Sequence, residues 1–153
     1  MLRANPHALV VRLAWVFGHG GKTFMSQLPG ILAEKKVVEL AGGRTGSCTY
    51  AGEASRIIFD LAEKRAEGIF HGVQAGQTTW KQFAEKAIEL MKDGGRSVAC
   101  DEVRELSQDK IPSLQVPRPA FSPLDISETE KVLGRTIPRW EKGLAEYLKE
   151  IGW

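Results

Sequence analysis

The sequence predicts an α/β fold organised as a single domain over residues 1–153. Three observations carry that prediction. Residues 8–17, ALVVRLAWVF, are almost continuously apolar and rich in β-branched side chains, the pattern of a strand buried on both faces of a parallel sheet. Two segments with a helical apolar period, 54–62 and 80–91, follow it. Short strand-like runs, VVEL at 37–40 and IFHGV at 69–73, alternate with helices, and such alternation is how α/β architectures read in sequence.

Each element has a local reason. Asn5-Pro6 marks a turn into the first strand, and glycines at 18, 20 and 21 end it. A helix is expected from about Thr23 to Lys36, with Pro29-Gly30 inside it as a kink or split. AGGRTGS, at 41–47, is a glycine-rich turn after the second strand. From Gly52, residues Ala54, Ile57, Ile58, Leu61 and Ala62 form one helical stripe that Gly68 is expected to stop. Thr79-Trp80-Lys81-Gln82 has the spelling of a capping box and begins a helix with its stripe at Trp80, Phe83, Ala84, Ala87, Ile88 and Met91. Gly94-Gly95 closes that helix. Prolines at 112, 117, 119 and 123 make residues 96–124 a mostly extended loop with short strands. Asp125 starts a short helix over 127–133, and Pro138-Arg139-Trp140 opens a terminal helix with Trp140, Leu144, Tyr147, Leu148 and Ile151 along one side.

Composition excludes several function classes. Lys and Arg number 21 against 19 Asp and Glu, and the basic residues are mixed with acidic ones, so no nucleic-acid-binding face is indicated. No apolar run reaches the roughly 18 residues that span a bilayer, and the N-terminus lacks the pattern of a secretory signal. Cys48 and Cys100 are far apart and read as two free thiols of a reducing, cytoplasmic setting. With His7, His19 and His71 equally scattered, no metal site is expected.

The stretch WVFGHGGKTF, 15–24, imitates half of a phosphate loop. That loop needs Gly-x-x-x-x-Gly-Lys-Thr, so that backbone amides wrap the phosphates. Counting back from Gly21, the first glycine belongs at 16, where Val16 stands. A nucleoside triphosphatase is therefore not indicated. In open α/β sheets, however, ligands bind at the carboxyl ends of parallel strands, and Trp15 lies near that end of strand 8–17. From pattern alone its indole either lines such a crevice or packs against a helix.

The same run carries a family resemblance. VRLAWVFGHGGKTF resembles the strand and loop V-R-T-S-W-V-Y-G, then N-F, of dTDP-4-dehydrorhamnose reductases. GSCTYAGEASRII is similar to the family's G-S-P-T-Y and the helix after it, and GIFHGVQAGQTTWKQFAEKAIEL to G-x-Y-H followed by S-W-x-x-F-A. VPRPAFSPLDISETEKVLGRTIPRWEKGLAEYL resembles R-P-x-x-S-x-L-D-x-S-K and then W-x-x-x-L. The likeness covers nearly the whole chain in order.

This resemblance implies the carboxyl-terminal part of an extended short-chain dehydrogenase: the last strands of an incomplete Rossmann sheet and a small sugar-nucleotide-binding lobe. It implies a parent enzyme that reduces the 4-keto group of dTDP-4-dehydro-L-rhamnose with NAD(P)H, in rhamnose biosynthesis. The family's Gly-x-x-Gly-x-x-Gly cofactor turn is absent, and so is its Tyr-x-x-x-Lys pair, because Tyr50 and Tyr147 are followed four residues later by Ala54 and Ile151. The chain alone is thus expected to bind no cofactor and to hold no catalytic residue, with a separate amino-terminal Rossmann half as its complement.

As carried over from the family, Trp15 contacts the deoxysugar ring and Arg118 pairs with the nucleotide diphosphate, where a planar guanidinium can engage two oxygens at once. Arg44, Thr49 and Tyr50 border the nucleotide. The sequence departs from the family there, with Cys48 for proline and Gly43-Arg44 for an acidic-Gln pair. Arg12 is expected to be a buried arginine paired with a carboxylate, and His71 a structural histidine. Two alternatives remain open at this point: a non-catalytic regulatory or binding homologue, and another nucleotide-sugar epimerase or dehydratase. The open edge of strand 8–17 further predicts a homo-oligomer.

Overall fold

The computed structural model describes residues 3–107 and 119–153. In chain order the elements are β1 (Leu9–Arg12), β2 (Val16–Phe17), α1 (Phe24–Glu34), β3 (Val37–Ala41), β4 (Thr45–Gly46), β5 (Thr49–Tyr50), α2 (Ala51–Glu63), β6 (Gly68–His71), α3 (Trp80–Asp93), β7 (Glu102–Leu106), β8 (Phe121–Ser122), α4 (Ser127–Leu133) and α5 (Trp140–Glu150). Strands pair as β1–β6, β2–β5, β3–β7 and β4–β8, all parallel. Parallel pairs need crossover connections, and helices occupy those crossovers, as expected of an α/β chain.

The first apolar run differs from its expectation. It forms two strands rather than one, because the backbone turns into the left-handed region at Trp15, with φ 39°. β1 is also covered on one face only. Leu9 and Val11 pack on a cluster of Ile57, Leu61, Phe70, Leu133 and Ile137, while Ile69, opposite Val10 on β6, is 45% exposed. Strand alternation puts Arg12 on the face of Val10, so Arg12 is exposed and forms no ion pair among the described residues. The buried arginine read from the sequence is corrected by that missing second layer.

Helix α1 begins as predicted, with Thr23 as its cap: Thr23 Oγ1 accepts the Ser26 amide (3.3 Å) and donates to Val16 O (3.2 Å). The helix ends at Glu34, and Pro29 does not divide it. Close to the proline, the Tyr147 hydroxyl donates to Ser26 O at 2.5 Å, anchoring this turn to α5. Helix α2 ends at Glu63, before Gly68, because Arg65 adopts a left-handed φ of 53° and the Ala66 amide closes onto Leu61 O. The capping box at α3 is complete, with Gln82 N to Thr79 Oγ1 at 3.1 Å and Thr79 N to Gln82 Oε1 at 3.0 Å.

The larger core gathers Phe17, Leu28, Leu32, Leu40, Phe83 and Leu144, among others, where α1, α3 and α5 meet β2 and β3. Phe17 is 1% exposed and touches Phe83, Tyr147 and Tyr50, with centroids 5.1, 5.6 and 6.0 Å away. The buried carboxylate of Glu53 joins α2 to the segment before α5. It accepts Arg56 Nη1 at 2.8 Å and Arg135 Nη1 at 3.3 Å, while Asp60 holds the same Arg135 at 2.7 and 3.0 Å. His71 is structural as expected, its Nδ1 lying 2.7 Å from Asp125 O. Asp125 bonds Ser127 N and Oγ at the start of α4.

Two expected outcomes follow from this packing. Thr79→Ala removes a cap and costs about 1 kcal/mol, whereas Phe83→Ala opens a cavity and costs about 3–5 kcal/mol, both read from urea unfolding midpoints. Burial first, and then the bond from its hydroxyl to Glu150, pushes Tyr50 from 10.0 up to about 12, and burial also raises Tyr147. An acid whose folded pKa is raised contributes its stability fully below its unfolded value. That contribution is therefore present below pH 10.0 and is lost as pH rises through about 12. Tyr50 should contribute tyrosinate absorbance only near pH 12 in the folded chain, about 12 being its raised value, and near its ordinary value of 10.0 after denaturation.

Candidate functional site

The site is built where the carboxyl ends of parallel strands release their loops. β3 and β7 end together at Ala41 and Leu106, and the Gly42 amide donates to Leu106 O at 2.9 Å. Beyond them Gly42, Gly43, Glu105, Leu106 and Ser107 line an open groove of about 350 Å3. Gly43 makes the turn possible at a φ of 70°, and the chain passes through Arg44 into β4. Gly46 is three residues from Gly43, a reach of at most about 10 Å.

At Gly46 several segments converge. Its amide donates to Thr78 O and its carbonyl accepts the Thr78 amide, at 3.0 and 2.9 Å. Thr45 N donates to Ala120 O at 2.8 Å, and Ser47 Oγ accepts the Leu124 amide at 3.0 Å. Residues 119–124, which follow Arg118 directly, are thereby laid along β4. The indole of Trp15 lies against the Cα of Gly46, so closely that a Cβ there would stand 2.8 Å from Trp15 Cζ2. Trp80 meets Trp15 edge-on (6.1 Å, 86°) and stacks flat on Phe24 (5.1 Å, 11°).

Among the site residues read from the sequence, Trp15 is half-buried, so part of its surface remains for a ligand. Arg44 is 5% exposed behind the groove's glycine turn. Thr49 is fully buried, its Oγ1 donating to Ala14 O at 3.0 Å and its amide to Trp15 O at 3.3 Å. The Tyr50 hydroxyl donates to Glu150 Oε2 at 2.8 Å, and its amide to Gln74 Oε1 at 3.0 Å. Arg118 lies outside the described residues. The structure therefore brings Trp15, Arg44 and the start of 119–124 around β4, whereas the polar groups of Thr49 and Tyr50 bond within the protein.

Two residues at this site were not singled out from the sequence. Trp80 was read only as part of the α3 stripe, and Gly46 only as part of a turn. The signal that could have found Gly46 is its place beside a predicted strand, where a glycine marks close approach by another group. Chemically the arrangement offers an aromatic face, a groove floored by backbone and a nearby cation. No group of three or more metal-ligating side chains occurs among the described residues, and no helix among them is long and apolar enough to cross a membrane.

Comparison with known proteins identifies the lineage. The profile of the RmlD substrate binding domain matches residues 1–152. The dTDP-4-dehydrorhamnose reductase of Salmonella typhimurium is 24% identical over 151 residues, covering 95% of this chain and 50% of the relative. The crystal structure of a dTDP-4-dehydrorhamnose reductase from Clostridium acetobutylicum superposes with a TM-score of 0.83 at 21% identity, over 99% of this chain and 52% of that one. The Bacillus anthracis dTDP-4-dehydrorhamnose reductase, solved in complex with NADP, gives 0.78 at 23%, over 93% and 48%. The chain thus spans about half the length of the relatives it matches, and its fold is that of the corresponding part of a Rossmann-type extended short-chain reductase. With the match running through both the aromatic site and the groove, the chain belongs to the RmlD substrate binding domain family.

Proposed function

We propose that this chain is the sugar-nucleotide-holding portion of a dTDP-4-dehydrorhamnose reductase, the parent enzyme reducing the 4-keto group of dTDP-4-dehydro-L-rhamnose. The observation that carries the reading is Trp15, presented half-buried against Gly46 of β4, where an indole face suits the apolar face and methyl group of a 6-deoxyhexose. Arg118 supplies a bidentate contact to the diphosphate, and Arg44, on the turn into β4, borders the nucleotide. Tyr50 contributes through its ring, since its hydroxyl is held by Glu150 and its amide by Gln74.

The residues of this chain do not form an NAD(P)H site, for they include neither the glycine-rich pyrophosphate turn nor a Tyr-x-x-x-Lys pair. Cofactor and proton donor belong to the amino-terminal Rossmann half. The open face of β1–β6, with Ile69 45% exposed and Arg12 exposed beside it, is the surface that half covers. The two buried free thiols suit a cytoplasmic setting.

Calorimetric titration with dTDP, UDP and NADPH tests the assignment. Selective dTDP binding, weakened about tenfold by Arg118→Ala, is expected, whereas Trp15→Ala should weaken dTDP-L-rhamnose about tenfold and leave dTDP unchanged. Preference for UDP would instead favour another nucleotide-sugar epimerase or dehydratase, and binding of none would favour a non-catalytic partner module. The exposed β1 edge and face should also drive self-association of the isolated chain. A sedimentation profile of a clean, stable monomer would overturn that expectation.

A further inference from the structure

We infer that Thr49 and Trp80 are positioning residues, which fix the indole of Trp15 as a rigid platform for a hexose ring; the inference rests on the sugar-nucleotide reading above. Trp15 has a left-handed φ of 39°, a conformation tryptophan does not favour on its own. Something must over-determine it, and such strain collects at ligand clamps. Thr49, 34 residues along the chain, binds both peptide carbonyls that flank the bend: its Oγ1 takes Ala14 O (3.0 Å) and its amide takes Trp15 O (3.3 Å). One buried residue therefore sets the backbone of the bend.

The side chain is set by a separate pair of contacts. Gly46 lets the indole lie on its Cα, and Trp80 meets it edge-on. Trp80 is itself immobilised, stacked on Phe24 and placed at the first residue of a helix whose capping box is complete. Its Nε1 is buried with no hydrogen-bond partner among the described residues. Stability alone would give that donor an acceptor, because an orphaned buried N–H is costly. Trp140 Nε1 in the core is unpartnered in the same way, so the left-handed backbone of Trp15, held from Thr49, is the feature that marks this contact as one whose geometry matters.

The positioning claim has a readout that does not depend on ligand. Two indoles at 6.1 Å and 86° should couple, giving a far-ultraviolet circular dichroism couplet that Trp15→Phe and Trp80→Phe each abolish. Thr49→Val keeps the shape of the side chain and deletes the bond to Ala14 O. In the 153-residue chain it should collapse the couplet, and Thr49→Ser should restore it. The same variant should weaken dTDP-L-rhamnose binding about tenfold while leaving dTDP binding unchanged, because only the sugar rests on the platform. Gly46→Ala, which forces the indole aside without touching Thr49, should show the same split. A Thr49→Val chain with wild-type couplet and wild-type sugar-nucleotide affinity would overturn the inference, as would equal weakening of dTDP and dTDP-L-rhamnose. Should the wild-type chain bind neither compound, the sugar-nucleotide reading fails, and the couplet alone still decides whether Thr49 sets Trp15.

Discussion

The ring of Phe17 inside the larger core is the contact on which the remaining geometry depends. It joins β2 to α3 through Phe83, to α5 through Tyr147 and to β5 through Tyr50. Two residues earlier, Trp15 reaches the same helix α3 through Trp80, which stands three positions before Phe83 and so on the same helical face. Segment 15–17 is consequently gripped twice by one helix, once in the core and once at the site. The capping box at Thr79 thus has a consequence beyond helix stability, since it fixes the first turn of α3 and with it the residue that braces Trp15.

Local features were legible in the sequence where the physics is local. The stripes of α3 and α5, the Thr79 cap and the α/β alternation all depend on residues within a turn or two of each other. The misreadings concern relations between distant segments. An apolar run cannot say how many layers will cover it, so ALVVRLAWVF read as one doubly buried strand, although within β1 only Leu9 and Val11 have a core to meet and Phe17 belongs to another strand and the larger core. Arg12 was misjudged for the same reason. Nor can a tryptophan announce that its backbone will turn left-handed, because the cause lies at Thr49, far along the chain. Pro29 was read as a helix breaker, yet the helix continues through it, packed in the core with Met25 and Leu28 on either side of Ser26 and tied there by Tyr147. At the site, residue type alone could not say which polar groups are already engaged: Thr49 and Tyr50 carry ligand-like hydroxyls that internal carbonyl and carboxylate partners occupy.

Burial also weighs the two places where the sequence departs from its family's pattern. Cys48, in place of proline, is 1% exposed, and burial pushes its thiol well above the ordinary range. It is a neutral, inert filler of the core and presents nothing to a ligand. The change at Gly43-Arg44 is of another kind. Gly43 lines the groove, Arg44 is the buried residue that follows it, and together they replace an acidic-Gln pair. Gly43 stands where the family pattern has the acid and Arg44 where it has Gln, so a carboxylate is lost and a buried guanidinium, itself engaged within the protein, is gained. The departure that changes the local charge therefore lies at residues 43–44, while the one at 48 exchanges one uncharged core side chain for another.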